Sequence, residues 1–182
     1  VTDAEGIVEA VSEFASRAAE KLREQGSVAG AIQVFFTTSP FREHERQHSP
    51  STVVPLRPTA DSRHLVSAAA TAARSIFRPE FNYAKAGVML MDLQSLEEVT
   101  QQPELDLFSE PAPEAGTATK DRSALMSAMD ALNQRFGRGA VRIGSATTAK
   151  ANDSGKASWS VRQERRTPRY TTRWTEMPVV KC

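Results

Sequence analysis

Hydrophobic periodicity runs through the first 93 residues and then stops. Residues 94–120 are rich in Pro, Glu, Gln and Thr, and over 101–120 they carry four acids against one base. They lack the spaced apolar residues that would let a segment bury surface against a core. Such a stretch reads as a linker, and it divides the 182-residue chain into a body at 1–93, a linker at 94–120 and a C-terminal module at 121–182. Charge follows the same division. Residues 1–100 carry 10 Lys+Arg and 13 Asp+Glu, whereas 121–182 carry 12 and 5. The net charge of +1 thus conceals an acidic body and a basic tail.

Within the body, "VTDAEGIVEAVSEFASRAAEKLREQG" predicts a helix. Ile7, Val11, Phe14, Ala15, Ala18 and Leu22 recur at steps of three and four; Thr2 and Glu5 have capping-box spacing, and Gly26 suits the C-terminal cap. "GAIQVFFTTSPF" alternates Ile32, Val34 and Phe36 against Gln33, Phe35 and Thr37, the period of a half-buried strand. "STVVPLRP" reads as a second strand, at an edge or bulged because Pro55 has no N–H to give a ladder. "TADSRHLVSAAATAARSIF" is a second helix capped by Asp61 or Ser62, and "FNYAKAGVMLMDL" a third strand with Val88 and Leu90 opposed to Met89 and Met91. The order helix, strand, strand, helix, strand is that of a βαββαβ α+β sandwich lacking its first strand. A strand upstream of Val1 is the corresponding expectation, with the chain read as a fragment. Beyond the linker, "DRSALMSAMDALNQRFG" predicts a helix with Leu125, Met126, Met129, Leu132 and Phe136 as its core stripe, so that the C-terminal module too is read as small and α+β.

No catalytic or metal site is expected in this chain. His44, His48 and His64 have no cysteine partners and read as solvated loop residues, and "HERQH" lacks the metalloprotease pattern. There is no Gly-rich phosphate loop and no G-x-S-x-G elbow. Asp121 and Asp130 do not share a helix face with a second acid, as a two-metal site requires. The single cysteine, Cys182, precludes an intrachain disulfide and fits a reducing cytoplasm. No apolar run has the length of a membrane span.

The linker holds one anomaly, "QPELDLF", where Leu105, Leu107 and Phe108 are crowded among acids and prolines. A segment that orders only on docking pays its entropy at that moment, so a few large anchors must carry the affinity. The stretch resembles bacterial sliding-clamp-binding peptides, which implies a clamp contact through Gln102, Leu105, Asp106, Leu107 and Phe108. Glu104 departs from that pattern by standing where glutamine is usual.

Around this plug, "SRAAEKLR", "FFTTSPF", "DSRHLVSAA" and "YAKAGVMLMDL" occur in order, followed by "LMSAMDALNQRFGRG" and "SVRQERRTPRYTTRW". Together they resemble the C-terminal part of the UmuC family, the Y-family translesion polymerase subunit of DNA polymerase V, with its ImpB, MucB and SamB relatives. The resemblance implies that the body is a little-finger domain gripping primer-template DNA in damage tolerance and the SOS response. It places the Mg²⁺-binding carboxylates of nucleotidyl transfer upstream of Val1, assigns no cofactor to this chain, and makes it cytoplasmic and nucleoid-associated. A UmuD-type subunit and the RecA filament join the DNA and the clamp as implied partners.

Residue chemistry supplies the DNA-contact candidates. Thr37, Thr38 and Ser39 offer hydroxyl and N–H donors, and Arg42, His44, Arg46, Arg57 and Lys85 offer cations for phosphates, a grip that reads no base. In the tail, Arg162, Arg165, Arg166, Arg169 and Arg173 with Tyr170 and Trp174 suit either phosphate contact with base stacking or a protein hot spot. A basic β-hairpin with its aromatics, the two tryptophans included, in a small core is the simpler alternative. Two other functional classes remain open from the residues: a stand-alone, non-enzymatic DNA- or clamp-binding adaptor, and a protein-interaction tail without DNA contact.

Overall fold

The computed structural model describes residues 3–41, 45–101, 122–137, 139–146, 159, 167–169 and 171–177. Helix α1 (Ala4–Glu24) leads into strand β1 (Ser27–Thr38). Strand β2 (Ser51–Thr59), helix α2 (Ser62–Ile76) and strand β3 (Tyr83–Ser95) follow in the expected order. The strands form one antiparallel sheet, β2-β1-β3, and α1 and α2 pack together on one of its faces. The domain is α+β.

Alternation along β1 decides which face is buried. Ile32 and Val34 are fully buried and Phe36 nearly so, under helix residues Val11, Ala15, Ala19, Leu65, Ala69 and Ala73. Val88 and Leu90 lie opposite Val34 and Ile32 in register and reach the same core, while Met89 and Met91 point the other way. Pro55 lies in edge strand β2, opposite Ala31, where the register shifts. Both devices that tolerate a strand proline are thus present.

The caps show how the helices are set. Asp61 caps α2, its Oδ1 accepting from the Arg63 N–H at 2.8 Å. Gly26 takes φ +64° after α1, a left-handed turn that disfavours side chains, and its N–H donates to Arg23 O. At the other end of α1 the cap is Asp3, whose Oδ1 accepts from Glu5 N–H; Thr2 lies outside the described residues. Asp3 is closer to the helix start and its carboxylate also favours the positive dipole end.

Ordered structure continues beyond residue 93, where the linker was expected to begin. β3 stays paired to β1 as far as Ser95, opposite Ser27, and helix α3 (Leu96–Gln101) follows. Leu96 N–H donates to Gly26 O, and Ser95 Oγ accepts from Glu97 N–H. Backbone pairing, which needs no apolar side chain, carries the chain further than composition suggests.

Helix α4 (Ser123–Phe136) lies against the body rather than apart from it. The expected core stripe is corrected. Met126 is buried, but Leu125, Leu132 and Phe136 are 52%, 42% and 65% exposed. The buried row runs through Met126 and Asp130, one turn apart, and Asp130 meets Arg23 of α1, so the leucines and the phenylalanine are turned away from it. Asn133 then folds the chain back, donating to Val141 O at 3.0 Å and accepting from Val141 N–H at 2.9 Å. That brings Ile143 and Ala146 onto the body.

Candidate nucleic-acid interface

One face of the sheet carries no helix among the described elements, and the strand period puts Gln33, Phe35 and Thr37 of β1 on it. Val53 and Met89 flank Gln33, and Met91 lies opposite Ala31. Val53, Met89 and Met91 are 48%, 53% and 38% exposed. The Phe35 ring lies over Gly87, and a Cβ there would collide with it. Gln33 apart, the middle of this face is therefore apolar, and its cations stand at the ends.

At the end where β1 finishes, Thr37 is opposite the exposed Lys85. Ser39 follows, half-buried, and exposed Arg46 lies in the same connection, with its guanidinium 5.8 Å from the Phe81 ring centroid. Arg57 is exposed near the other end of β2, between the residues that pair with Ala31 and Ala29. The register separates the Lys85 and Arg57 rows by about seven residues, or roughly 23 Å, so the two would meet different phosphates. Arg42 and His44 lie outside the described residues.

Thr38 points inward and is 4% exposed; its Oγ1 accepts from His48 N–H at 3.0 Å. Its hydroxyl thus serves the loop. The reading of the histidines as solvated loop residues is also corrected. His48 is half-buried, stacked on Phe81 at 4.3 Å and 20°, with Nδ1 3.0 Å from Tyr83 Oη. His64 is an exposed residue of α2.

A second polar arrangement, on the helical side, has no local sequence signal. Arg23 of α1 donates from Nε and Nη2 to the two carboxylate oxygens of Asp130 in α4, at 2.7 and 2.6 Å. Its Nη1 donates to Ala60 O at 2.8 Å and Ser62 Oγ at 2.7 Å. The partners are as many as 107 positions apart, and only the bidentate geometry of guanidinium and carboxylate identifies them as a unit. Toward the first half of α1, Trp159 Nε1 donates to Glu9 at 3.2 Å while the indole packs edge-on against Phe14, 5.6 Å between centroids. This tryptophan serves the body–module contact rather than a separate hairpin core.

Trp174 departs from the core expectation altogether, being 87% exposed. Arg169 N–H donates to Glu176 Oε2 at 2.6 Å, and Arg173 Nη1 is 3.4 Å from Glu176 Oε1. One acid therefore engages both tail residues. Arg162, Arg165, Arg166 and Tyr170 lie outside the described residues, as do the plug residues Gln102, Leu105, Asp106, Leu107 and Phe108.

Among the described residues no three His, Cys, Asp or Glu converge to hold a metal ion, and no helix is long and apolar enough to cross a membrane. What the geometry defines is an α+β domain with an open sheet face, cations at the ends of that face, and a C-terminal helix docked on its helical side. Residues 1–107 match the model of the impB/mucB/samB family C-terminal domain, and residues 123–180 match a domain of unknown function, DUF4113. The chain belongs to the impB/mucB/samB family. It is 38% identical to Protein UmuC of Salmonella typhimurium (strain LT2), over all of this chain and 39% of the relative. Protein MucB of Salmonella typhimurium is 36% identical over 94% of the chain and 37% of its own length, and Protein ImpB of the same organism is 35% identical over 100% and 39%. The chain thus spans about two fifths of the length of these curated relatives.

Proposed function

We propose that this chain is the DNA-gripping and partner-tethering part of a UmuC-type translesion DNA polymerase that acts in SOS damage tolerance. The observation that carries this reading is the alignment of the whole chain with Protein UmuC. The open sheet face, with Thr37 and Lys85 at one end and Arg57 toward the other, and with Ser39 and Arg46 in the connection that leaves the first end, supports a primer-template as the ligand. Cations spaced along a flat surface neutralise phosphates without selecting a sequence, which suits a domain that must hold whatever template lies beneath it. With the body net acidic, the grip is confined to these positions.

In this reading the plug tethers the polymerase to the bacterial sliding clamp, and the basic tail meets accessory proteins of UmuD and RecA type. Mg²⁺ and deoxynucleotides belong to residues outside this chain, in a cytoplasmic, nucleoid-associated enzyme. In this reading no step of the chemistry is assigned to this chain.

Fluorescence anisotropy of the chain with a labelled primer-template duplex, read between about 50 and 200 mM salt, tests the DNA contact. Binding at low salt that weakens as salt rises is expected. Lys85→Gln or Arg46→Gln should each reduce the slope of log affinity against log salt by about 1. Absence of binding at the lowest salt would remove DNA from the function.

A further inference from the structure

The connection from β1 to β2 is closed at its neck by backbone bonds that outlast the strand. Phe36 N–H donates to Pro50 O at 3.0 Å, and Thr38 N–H donates to His48 O at 3.2 Å. His48 N–H returns a bond to Thr38 Oγ1 at 3.0 Å. The neck is then tied to the beginning of β3. His48 Nδ1 meets Tyr83 Oη at 3.0 Å, and the imidazole lies on the Phe81 ring. The same Phe81 ring carries the Arg46 guanidinium.

This cluster does more than fill space. Phe81 and Tyr83 are 9% and 2% exposed, so aliphatic residues would bury as well. A flat ring and a fixed hydrogen bond add orientation: the Phe81 face is a weak site for a guanidinium, and the His48–Tyr83 bond limits how that face can turn. An arginine otherwise carries rotamer entropy that binding must remove. Holding the cation beforehand cuts that cost and is the usual source of affinity from preorganisation.

We propose that Phe81, His48, Tyr83 and Thr38 are positioning residues that preset Arg46 for a phosphate of the bound duplex. None of the four needs to touch DNA. The inference rests on the DNA reading above and adds to it the source of Arg46's geometry.

The test uses the whole chain with the same labelled duplex and salt series. Phe81→Leu keeps apolar bulk but removes the ring face; Tyr83→Phe keeps the ring and removes only the hydroxyl that meets His48. Phe81→Leu is expected to reproduce the effect of Arg46→Gln, lowering the salt slope by about 0.9 and so reducing the loss of affinity between 50 and 200 mM by about 3.5-fold. The double variant Phe81→Leu/Arg46→Gln should bind no more weakly than Arg46→Gln alone, because the two residues act as one unit. Tyr83→Phe should shift the slope in the same direction by less, with its thermal transition showing that it is folded. It provides the reading if Phe81→Leu does not fold.

Full additivity of Phe81→Leu with Arg46→Gln overturns the proposal, as does an unchanged slope in whichever of the two ring variants is folded. If Lys85→Gln lowers the slope while both ring variants retain it, the positioning role alone falls. If the unmodified chain does not bind duplex at low salt, the DNA reading falls and takes the positioning role with it.

Discussion

Asp130→Ala is expected to destabilise the docked C-terminal helix by about 3 kcal/mol, the cost of leaving a largely buried guanidinium without its partner carboxylate. The side chains of Arg23 and Asp130 are 14% and 19% exposed, so water does little to replace the lost bonds. Arg23 would keep Ala60 O and Ser62 Oγ on Nη1 but lose both bonds from Nε and Nη2. Because its other two partner groups, Ala60 O and Ser62 Oγ, belong to the body at the start of α2, the body should remain folded while α4 separates. Limited proteolysis reads this directly: cleavage within 123–136 should accelerate by about two orders of magnitude, the factor that 3 kcal/mol implies when opening precedes cleavage. Cleavage within β1 should stay near its original rate. Asp130→Asn, which can still accept one bond, should lie between. Unchanged proteolysis of Asp130→Ala would mean that buried Met126 and the Arg122–Asp61 pair hold α4 without the Arg23 ion pair.

The second large effect concerns the plug. Leu107→Ala with Phe108→Ala is expected to weaken binding to a bacterial sliding clamp by about 4 kcal/mol if each buried anchor contributes about 2 kcal/mol, roughly a thousandfold in affinity. The apolar trio is crowded into a segment whose composition offers no neighbours to bury it, and in the proposed function the clamp buries it. Glu104→Gln should act in the opposite direction, because an amide can donate at the mouth of a pocket where a carboxylate only accepts. Calorimetric titration of clamp with the chain and its variants gives both answers. Equal affinity for the chain and the double variant would end the clamp assignment while leaving the DNA reading intact.

The docked helix bears on how these contacts combine. The open sheet face and the α4 contact lie on opposite sides of the body, with α1 between them. DNA on the sheet therefore need not displace the C-terminal helix. The exposed Leu125, Leu132 and Phe136 show why a stripe is only half a prediction. Periodicity establishes that four or five apolar residues share a sector of a helix, but which edge of that sector is buried depends on the surface it meets. Here the surface is α1, and the polar Asp130 lies on the contact row because Arg23 waits for it.

Several features were written in the sequence because their causes are local. A period of two in "AIQVFF" obliges Ile32, Val34 and Phe36 to share one face, and Pro55 cannot join a ladder without an edge or a bulge. Asp61 before an alanine-rich run, and Gly26 after α1, mark helix ends through bonds that reach only a few residues. The order of elements and the α+β class follow from these alone. The cations could be named for the same reason, since a charged type at a loop or strand end is visible without coordinates. What only the tertiary structure decided depends on residues far apart in the chain. Thr38 turns inward because register and the His48 backbone claim it. His48 is drawn out of solvent because Phe81 and Tyr83 meet it from the start of β3 and the turn before it, and Asp130 finds Arg23 across 107 positions. Periodicity encodes which side of an element is apolar; it carries no record of which distant side chain will complete a hydrogen bond, because that is settled only when the sheet closes and the helices pack.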